Sequence, residues 1–349
     1  MLRIGIIGAS GYTGAELVRL LGAHPSARVV AATSESSAGQ SLLQLYPGLG
    51  PAGDLRLTHA SQTVLTPETV EAVFLALPHG EAQALAPDLV GKGLKVVDLS
   101  GDFRFPDPAV WTQWYHRPHQ APDWAGKAVY GLPELFRKQI TGAAFVSNPG
   151  CFVTAAVLAL YPLLQAGWVE PGTLIVDAKT GLTGAGRKAT LESMFTHVTE
   201  NVVPYKLAGT HQHTPEMEMA LARATGRTVA ITFTPQLVPA RRGILAMAYA
   251  RLTAPRSTAD LTACFQETYH GEPFVTVSAA DAPWPDLASA VGSNRCVLKA
   301  AVDPRTGLAV VAAAIDNLIK GAAGSAIQNL NLMCGMPESA GLPLGGFAL

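Results

Sequence analysis

Cys151 follows Ser147-Asn148-Pro149-Gly150 directly and opens the apolar run Phe152 to Leu164, which reads as a buried helix. A thiol at a helix N-terminus is biased toward the thiolate, the form that attacks carbonyl carbon. Cysteine more commonly serves as a small buried hydrophobe, so position, not residue type, makes Cys151 a candidate nucleophile. Cys264, Cys296 and Cys334 lie inside apolar helix-like or strand-like patterns and are expected in the core. No two of the four form the CxxC pair of a zinc ribbon or dithiol motif. Thiol chemistry needs a base and later an acid. Gly209-Thr210-His211-Gln212-His213-Thr214-Pro215-Glu216 supplies two histidines just before an expected helix at 216–224. Alternate histidines could instead bind a metal, but spacing offers no third ligand and no metal is expected. A pair of surface loop histidines is the bland alternative.

Gly8-Ala9-Ser10-Gly11-Tyr12-Thr13-Gly14 lies between an expected strand at 2–7 and a helix that continues through Glu16 to Leu21. Glycines there let the backbone turn tightly and approach a pyrophosphate, whose charge the helix N–H groups can meet. The spacing is GxxGxxG and not the commoner GxGxxG, and an ordinary glycine turn is the alternative. A second strand-like run, Val29 to Thr33, is followed by Ser34, Glu35, Ser36 and Ser37. Hydroxyls and N–H groups there suit a 2′-phosphate and favour NADPH. Glu35 could equally hold the 2′-OH of NAD or point to solvent. Two loops carry arginines whose forks match carboxylate or phosphate: Asp98 to Arg104 after a strand, and Pro239 to Ile244. Placement at the C-terminal edge of an α/β sheet would favour function over a solvated arginine.

These groups need elements to hold them. Further apolar runs at 72–77, 96–99 and 143–147, with a helical stretch near 80–90, alternate strand and helix and predict a doubly wound parallel sheet. Beyond 150 the runs at 174–178, 229–234, 245–252, 297–302 and 308–315 look like longer strands, with a helix near 258–269, as in an α+β domain. From 318 helical spacing returns. The expected division is a nucleotide-binding domain at 1–148, rejoined by a C-terminal helix at 318–349, and a catalytic and oligomerisation domain at 149–317.

Composition sets the outer limits. A chain of 349 residues is long enough for about two domains of ~150 residues. With 48% hydrophobic and 15% charged residues, disorder is excluded. A net charge of -1 gives no field to gather nucleic acid or an anionic membrane, so neither is an expected partner. The N-terminus shows no signal-peptide pattern, and Cys151 to Leu164 is short of a span of about 20 residues. A cytoplasmic location is expected.

Taken in order, GASGYTGAELVRLL, LALPHG, DLSGDFRF, YGLPE, SNPGCF, TGLTGAGR, HQHTPE, RRGI and DNLIKGAAGSAIQN resemble the N-acetyl-gamma-glutamyl-phosphate reductases of arginine biosynthesis over nearly the whole chain. The resemblance implies a Rossmann domain joined to an α+β domain of glyceraldehyde-3-phosphate dehydrogenase type, usually as a homotetramer. It implies NADPH-dependent reduction of a small-molecule acyl phosphate to an aldehyde. By that resemblance Cys151 is the nucleophile that forms a thioester, His213 the general base and acid, and His211 an orienting or substrate-contacting neighbour. Arg104 would bind phosphate, while Ser147, Asn148, Gly184, Arg187, Tyr205 and Arg242 would line the substrate pocket. Gly8, Ser10, Gly11, Tyr12, Thr13, Gly14, Ser34 and Asn317 would contact cofactor. A related branch acts on an aminoadipyl phosphate carried on a protein in lysine biosynthesis, and SNPGCF favours the acetylglutamyl branch. Two other classes compete: a thiol hydrolase, which leaves the glycine loop without purpose, and a nonenzymatic NADP-binding sensor, against which Cys151 at a helix start counts.

Overall fold

The structure, a computed structural model, describes residues 1–188, 190, 191 and 194–347. The chain divides into two compact units, Met1–Pro149 with Ala322–Leu342, and Gly150–Gly321 with the stretch that begins at Pro343. The first unit opens with β1 (Leu2–Ile7), α1 (Tyr12–Leu21), β2 (Ala27–Thr33), α2 (Leu42–Leu45), β3 (Ala72–Leu75), α3 (Ala86–Gly91) and β4 (Lys95–Asp98). It continues with α4 (Pro108–Tyr115), β5 (Val129–Tyr130), α5 (Pro133–Ile140) and β6 (Phe145–Ser147). The second unit holds α6 (Cys151–Gln165), β7 (Leu174–Thr180), α7 (Phe195–Val198), β8 (Val203–Pro204), α8 (His213–Thr225), β9 (Ile231–Leu237) and β10 (Ile244–Arg251). Then come α9 (Thr258–Thr268), β11 (Val275–Val277), β12 (Cys296–Asp303) and β13 (Leu308–Ile315), before α10 (Gly324–Met333) returns to the first unit.

The first unit is a six-stranded, wholly parallel sheet in the order β2-β1-β3-β4-β6-β5. Every residue of β3 and β6 is buried, as expected of strands covered on both faces. The chain runs outward from β1 to β2 and then restarts on the other side of β1 with β3, so the order reverses where the glycine loop leaves β1. Gly8 has φ +93, and a Cβ there would lie 2.2 Å from the Ala76 carbonyl oxygen. A Cβ on Gly14 would lie 2.4 Å from the Gly8 oxygen. Gly8 thus turns the chain tightly beside β3, and Gly14 lets α1 pack on the loop.

The second unit is a mixed seven-stranded sheet, β11-β12-β13-β10-β7-β9-β8. In β7, β9 and β10 alternate residues are buried, so one face meets the core, where α6 packs on β10 and β13 and α9 on β12. α6 is almost wholly buried, yet contains Pro162. Proline has no N–H to give the Leu158 carbonyl one turn back. The Tyr269 hydroxyl donates to that carbonyl instead, at 2.6 Å.

Several expectations need correction. The expected helix at 318–349 is a π-helical turn, Ile319–Ala323, followed by α10, which gives way at Gly335 with φ +66; residues 348 and 349 lie outside the described residues. Residues 318–321 cluster with the second unit. The stretch near 80–90 is a 3-10 turn, Ala82–Ala84, and the short α3, broken up by Pro87 at the start of α3. Seven elements were missed, α2, α4, β5, α5, α7, β8 and β11. The signal for α4 was present: Asp107 caps it, its side chain accepting the Ala109 N–H at 2.8 Å, with Pro108 at the first helical position.

Candidate active site

Cys151 is the first residue of the 15-residue α6, with Gly150 as its N-cap in extended conformation, φ -67 and ψ 150. Cys151 is half-buried, and the helix N-terminus behind it favours its thiolate. The His213 ring lies against Gly150: a Cβ there would be 2.4 Å from His213 Nε2. Gly150 donates its N–H to Glu216 Oε1 at 2.9 Å. Glu216 is fully buried in the first turn of α8, the helix that His213 begins. The N-termini of α6 and α8 therefore meet, and a carboxylate is favourably placed at both.

His211 caps α8 from outside, its Nδ1 accepting the His213 N–H at 3.0 Å. The neutral His211 ring therefore carries its proton on Nε2. The two imidazole centroids are 4.7 Å apart, and Phe152, Phe233 and Tyr205 pack edge-on around them, Tyr205 at 5.6 Å from His211. Burial, and after it the charge of Cys151, pushes the Tyr205 hydroxyl above the usual phenol range. It stays a neutral donor. Gly321 also packs on Cys151: a Cβ there would fall 2.7 Å from the cysteine Cβ.

A second group of residues lies in the same unit. Arg242 Nε faces Asp316 Oδ2 at 3.5 Å. Asn317, expected to contact cofactor, uses Oδ1 to accept the Gly243 N–H at 2.7 Å and Nδ2 to donate to Thr183 Oγ1 at 3.1 Å. Gly184 lies on the 3-10 turn Leu182–Ala185, and Arg187 is exposed three residues further on. The arginine loop at 239–244 joins β9 to β10 of the mixed sheet, not strands of the parallel one.

The remaining candidates belong to the first unit. Arg104 is 5% exposed, not solvated, and donates from Nε to the Asn148 carbonyl at 3.0 Å and from Nη2 to that of Leu99 at 3.2 Å. Asn148 is itself framework, its Oδ1 accepting from Asn329 Nδ2 at 3.0 Å and its N–H donating to the Asp98 carbonyl at 2.7 Å. Ser147 Oγ is buried with no hydrogen-bond partner among the described residues. Beneath this turn Asp98 bonds the Ser100 N–H and hydroxyl, each at 2.9 Å. Burial, then the neighbouring charge of Asp102, pushes Asp98 up to about 7. Burial also raises Asp102, against the N–H groups of Gly80 and Ala82 that its carboxylate accepts.

The glycine loop has the features of a phosphate cradle. Gly11 caps α1 without a side-chain hydrogen bond, and a Cβ there would meet only the Gly8 oxygen, at 3.7 Å. Among the described residues none crowds that position, so the backbone there is open to close approach. Tyr12 and Thr13 open α1 behind it. Ser10 and Ser34 share a hydrogen bond at 2.7 Å, and Ser34 Oγ also accepts the Ser37 N–H at 3.1 Å. Glu35 is turned to the next loop, accepting from the Ala60 N–H at 2.9 Å and from His59 Nδ1 at 3.0 Å. Those two bonds hold its carboxyl below the usual range.

Glu216, Asp316 and Tyr46 carry structural weight that the sequence did not assign them. Tyr46 donates to the Ser10 carbonyl at 2.9 Å and packs on Tyr12. HQHTPE contained Glu216, but nothing in the spacing pointed to Gly150. Of the cysteines expected in the core, Cys296 is fully buried, while Cys264 and Cys334 are half-buried, the first on α9 and the second where α10 ends. Burial pushes both half-buried thiols up.

The family model described as semialdehyde dehydrogenase, NAD binding domain, matches residues 3–143, and the one described as semialdehyde dehydrogenase, dimerisation domain, matches 151–317. N-acetyl-gamma-glutamyl-phosphate reductase of Moorella thermoacetica is 48% identical over 99% of this chain and 99% of its own. The protein of the same name from Symbiobacterium thermophilum is 51% identical over 98% and 97%. Among solved structures, aspartate semialdehyde dehydrogenase II from Vibrio cholerae, complexed with ASA, superposes with TM-score 0.72 at 17% identity over 96% of this chain and 98% of its own. The Candida albicans enzyme with NADP gives 0.67 at 17% identity over 96% and 98%. At that identity the structures speak for the fold alone, an α/β nucleotide-binding domain with an α+β partner, while the curated relatives carry the family. The chain belongs to the N-acetyl-gamma-glutamyl-phosphate reductase family, enzymes built from semialdehyde dehydrogenase domains.

Proposed function

We propose that this chain reduces N-acetyl-L-glutamyl 5-phosphate to the 5-semialdehyde with NADPH and releases phosphate, through a thioester on Cys151. The observation that carries the reading is the placing of Cys151 at the start of α6 with the His213 ring seated on Gly150 beside it. His213 takes the thiol proton, and the thiolate attacks the acyl carbon. The carbon–sulfur bond forms as the carbon–oxygen bond to phosphate breaks, and the leaving phosphate keeps the electron pair. When bound, NADPH supplies the hydride that reduces the thioester carbonyl. His213 gives its proton to the resulting hemithioacetal oxygen and takes it back as the carbon–sulfur bond breaks and the aldehyde leaves. His211 orients α8, and the neutral Tyr205 hydroxyl donates to the substrate. Arg104 is the candidate for phosphate and Arg242 for the substrate carboxylate, with Ser147, Asn148, Gly184 and Arg187 as further candidates for substrate contact.

Gly8, Ser10, Gly11, Tyr12, Thr13, Gly14 and Ser34 would hold the nucleotide, the 34–37 turn could offer hydroxyls and N–H groups to a 2′-phosphate, and Asn317 is a further candidate for cofactor contact. The engagement of Glu35 by Ala60 and His59 favours NADPH over NADH, since that carboxylate is committed within the protein. A homo-oligomer fits a domain family described by dimerisation, and the tetramer among oligomers is what the family resemblance implies. A cytoplasmic setting fits four cysteines without a disulfide among the described residues.

The test is NADPH formation from N-acetylglutamate semialdehyde and NADP, with and without phosphate, beside the aminoadipate analogue and NAD. Phosphate-dependent formation with the first aldehyde and NADP is expected. Equal rates without phosphate would sink the acyl-phosphate reading, and preference for the analogue or for NAD would reverse the substrate or cofactor choice.

A further inference from the structure

Where β13 ends, the chain turns two polar side chains inward: Asp316 is fully buried and Asn317 is 2% exposed. Asp316 Oδ1 accepts the N–H of Leu318 at 2.9 Å and of Ile319 at 3.1 Å. Its Oδ2 accepts the Gly292 N–H at 2.9 Å and faces Arg242 Nε at 3.5 Å. Three backbone N–H groups thus bond this carboxylate, and the Arg242 guanidinium forms an ion pair with it. Burying a carboxylate costs several kcal/mol unless such partners compensate it, and three backbone N–H groups alone could be met more cheaply by neutral acceptors. The charge therefore has a use, and its one charged neighbour in this set is Arg242.

The same residue reaches the nucleophile by another route. Its carbonyl accepts the Gly321 N–H at 2.9 Å, closing the π-turn, and Gly321 is the residue on which Cys151 rests. π-turns within helices are frequent at functional sites because they re-aim the residues that follow. Asn317 adds a second tie, from its Oδ1 to the Gly243 N–H next to Arg242.

We infer that Asp316 is a positioning residue which holds Arg242 and the Gly321 seat of Cys151 in one register, so that the substrate carboxylate and the reacting carbonyl are placed together. This rests on the reading of Arg242 as the carboxylate binder. Paired with Asp316 at Nε, the planar guanidinium is fixed in orientation. Asparagine at 316 would turn an amide donor toward backbone N–H groups and release the arginine.

The full-length enzyme is compared as wild type, D316N, R242A and the double variant. The readings are KM and kcat for N-acetylglutamate semialdehyde and the rate of Cys151 alkylation by iodoacetamide without nucleotide. R242A is expected to raise KM about tenfold, the scale of one charge-assisted hydrogen bond, with kcat within roughly threefold. D316N should raise KM by a similar factor and also change the alkylation rate at least about threefold. The double variant should have a KM no higher than the worse single variant, because both act on one contact. KM effects that multiply, or a D316N alkylation rate equal to wild type, would overturn the inference. Alkylation needs no substrate, so an inactive wild type would sink the substrate reading while leaving this test standing. Should D316N fail to fold, wild-type amide-type NMR of arginine side chains decides. The Arg242 Nε–H, assigned by its loss in R242K, should exchange with water at least about tenfold more slowly than that of exposed Arg305, and equal exchange overturns the pairing.

Discussion

Replacing Gly150 by alanine isolates the contact between the base and the nucleophile. Gly150 has φ -67 and ψ 150, a conformation alanine adopts freely, so the substitution brings no backbone strain. Its N–H bond to Glu216 also survives. The added methyl would stand 2.4 Å from His213 Nε2 and 2.7 Å from Cε1, where ordinary contact begins at 3.4 Å. The ring must therefore retreat by about 1 Å, and a misplacement of that size costs on the order of 10²-fold in rate. Complete loss of a general acid–base group, at about 10²–10⁴-fold, bounds the effect from above. Stability should fall by about 1–3 kcal/mol for the overpacking. NADPH affinity, proposed to rest on the first unit, should not change. The assay is phosphate-dependent NADPH formation, paired with fluorescence titration of NADPH and thermal unfolding. G172A, at a glycine with nothing within 4 Å, is the control and should match wild type. A G150A enzyme that folds and turns over within threefold of wild type would show that His213 does not act from its seat on Gly150.

Cys151→Ser should fold and bind NADPH yet form almost no aldehyde, because an oxygen ester is a poor hydride acceptor; near-normal activity would remove Cys151 as nucleophile. Iodoacetamide should label Cys151 ahead of Cys264 and Cys334, whose thiols burial pushes up, and mass spectrometry that finds either of those first contradicts the assignment. Asp98 keeps its proton in the folded protein to about 7, whereas the unfolded chain loses it near pH ~3.9. The native state thus binds more protons across that interval, so stability falls as pH rises from about 4 through 7. D98N should flatten this slope in melting temperatures taken across the window, and an unchanged slope assigns it to another group. R104A should raise KM for phosphate and, because Arg104 also holds the Asn148 carbonyl, lower kcat with NADPH affinity intact; unchanged kinetics would make it a purely structural residue.

How far the sequence disclosed this molecule depended on the range of the interaction. The glycine loop was legible because Gly8 and Gly14 answer local demands, a positive φ and a close helix approach. Cys151 and His213 could be singled out as candidates because residue type and a neighbouring helix start already imply chemistry. The alternation of strand and helix disclosed the parallel sheet, since period and length are local properties. The contacts of Glu216 and Asp316 were not legible. Their meaning lies in bonds to Gly150 and Arg242, partners that only the tertiary fold brings near. The π-turn escaped for a related reason: an apolar helical period does not register the extra residue by which Gly321 reaches back to Asp316. Arg104 stood out as a candidate anion binder, but its burial was not legible, since it follows from carbonyls offered by two separate loops.

Pro162 and Tyr269 form a pair whose members can change readily in only one order. A descendant that lost the Tyr269 hydroxyl while keeping Pro162 would leave the Leu158 carbonyl bare. That step costs about 1–3 kcal/mol, a sizeable part of what keeps a domain folded. A descendant that first regained an N–H at 162 leaves no group unmet, because a carbonyl oxygen has two lone pairs and can accept from both. Lineages that diverged from this chain should therefore rarely carry the proline without the tyrosine, so the history of the two positions runs in one direction.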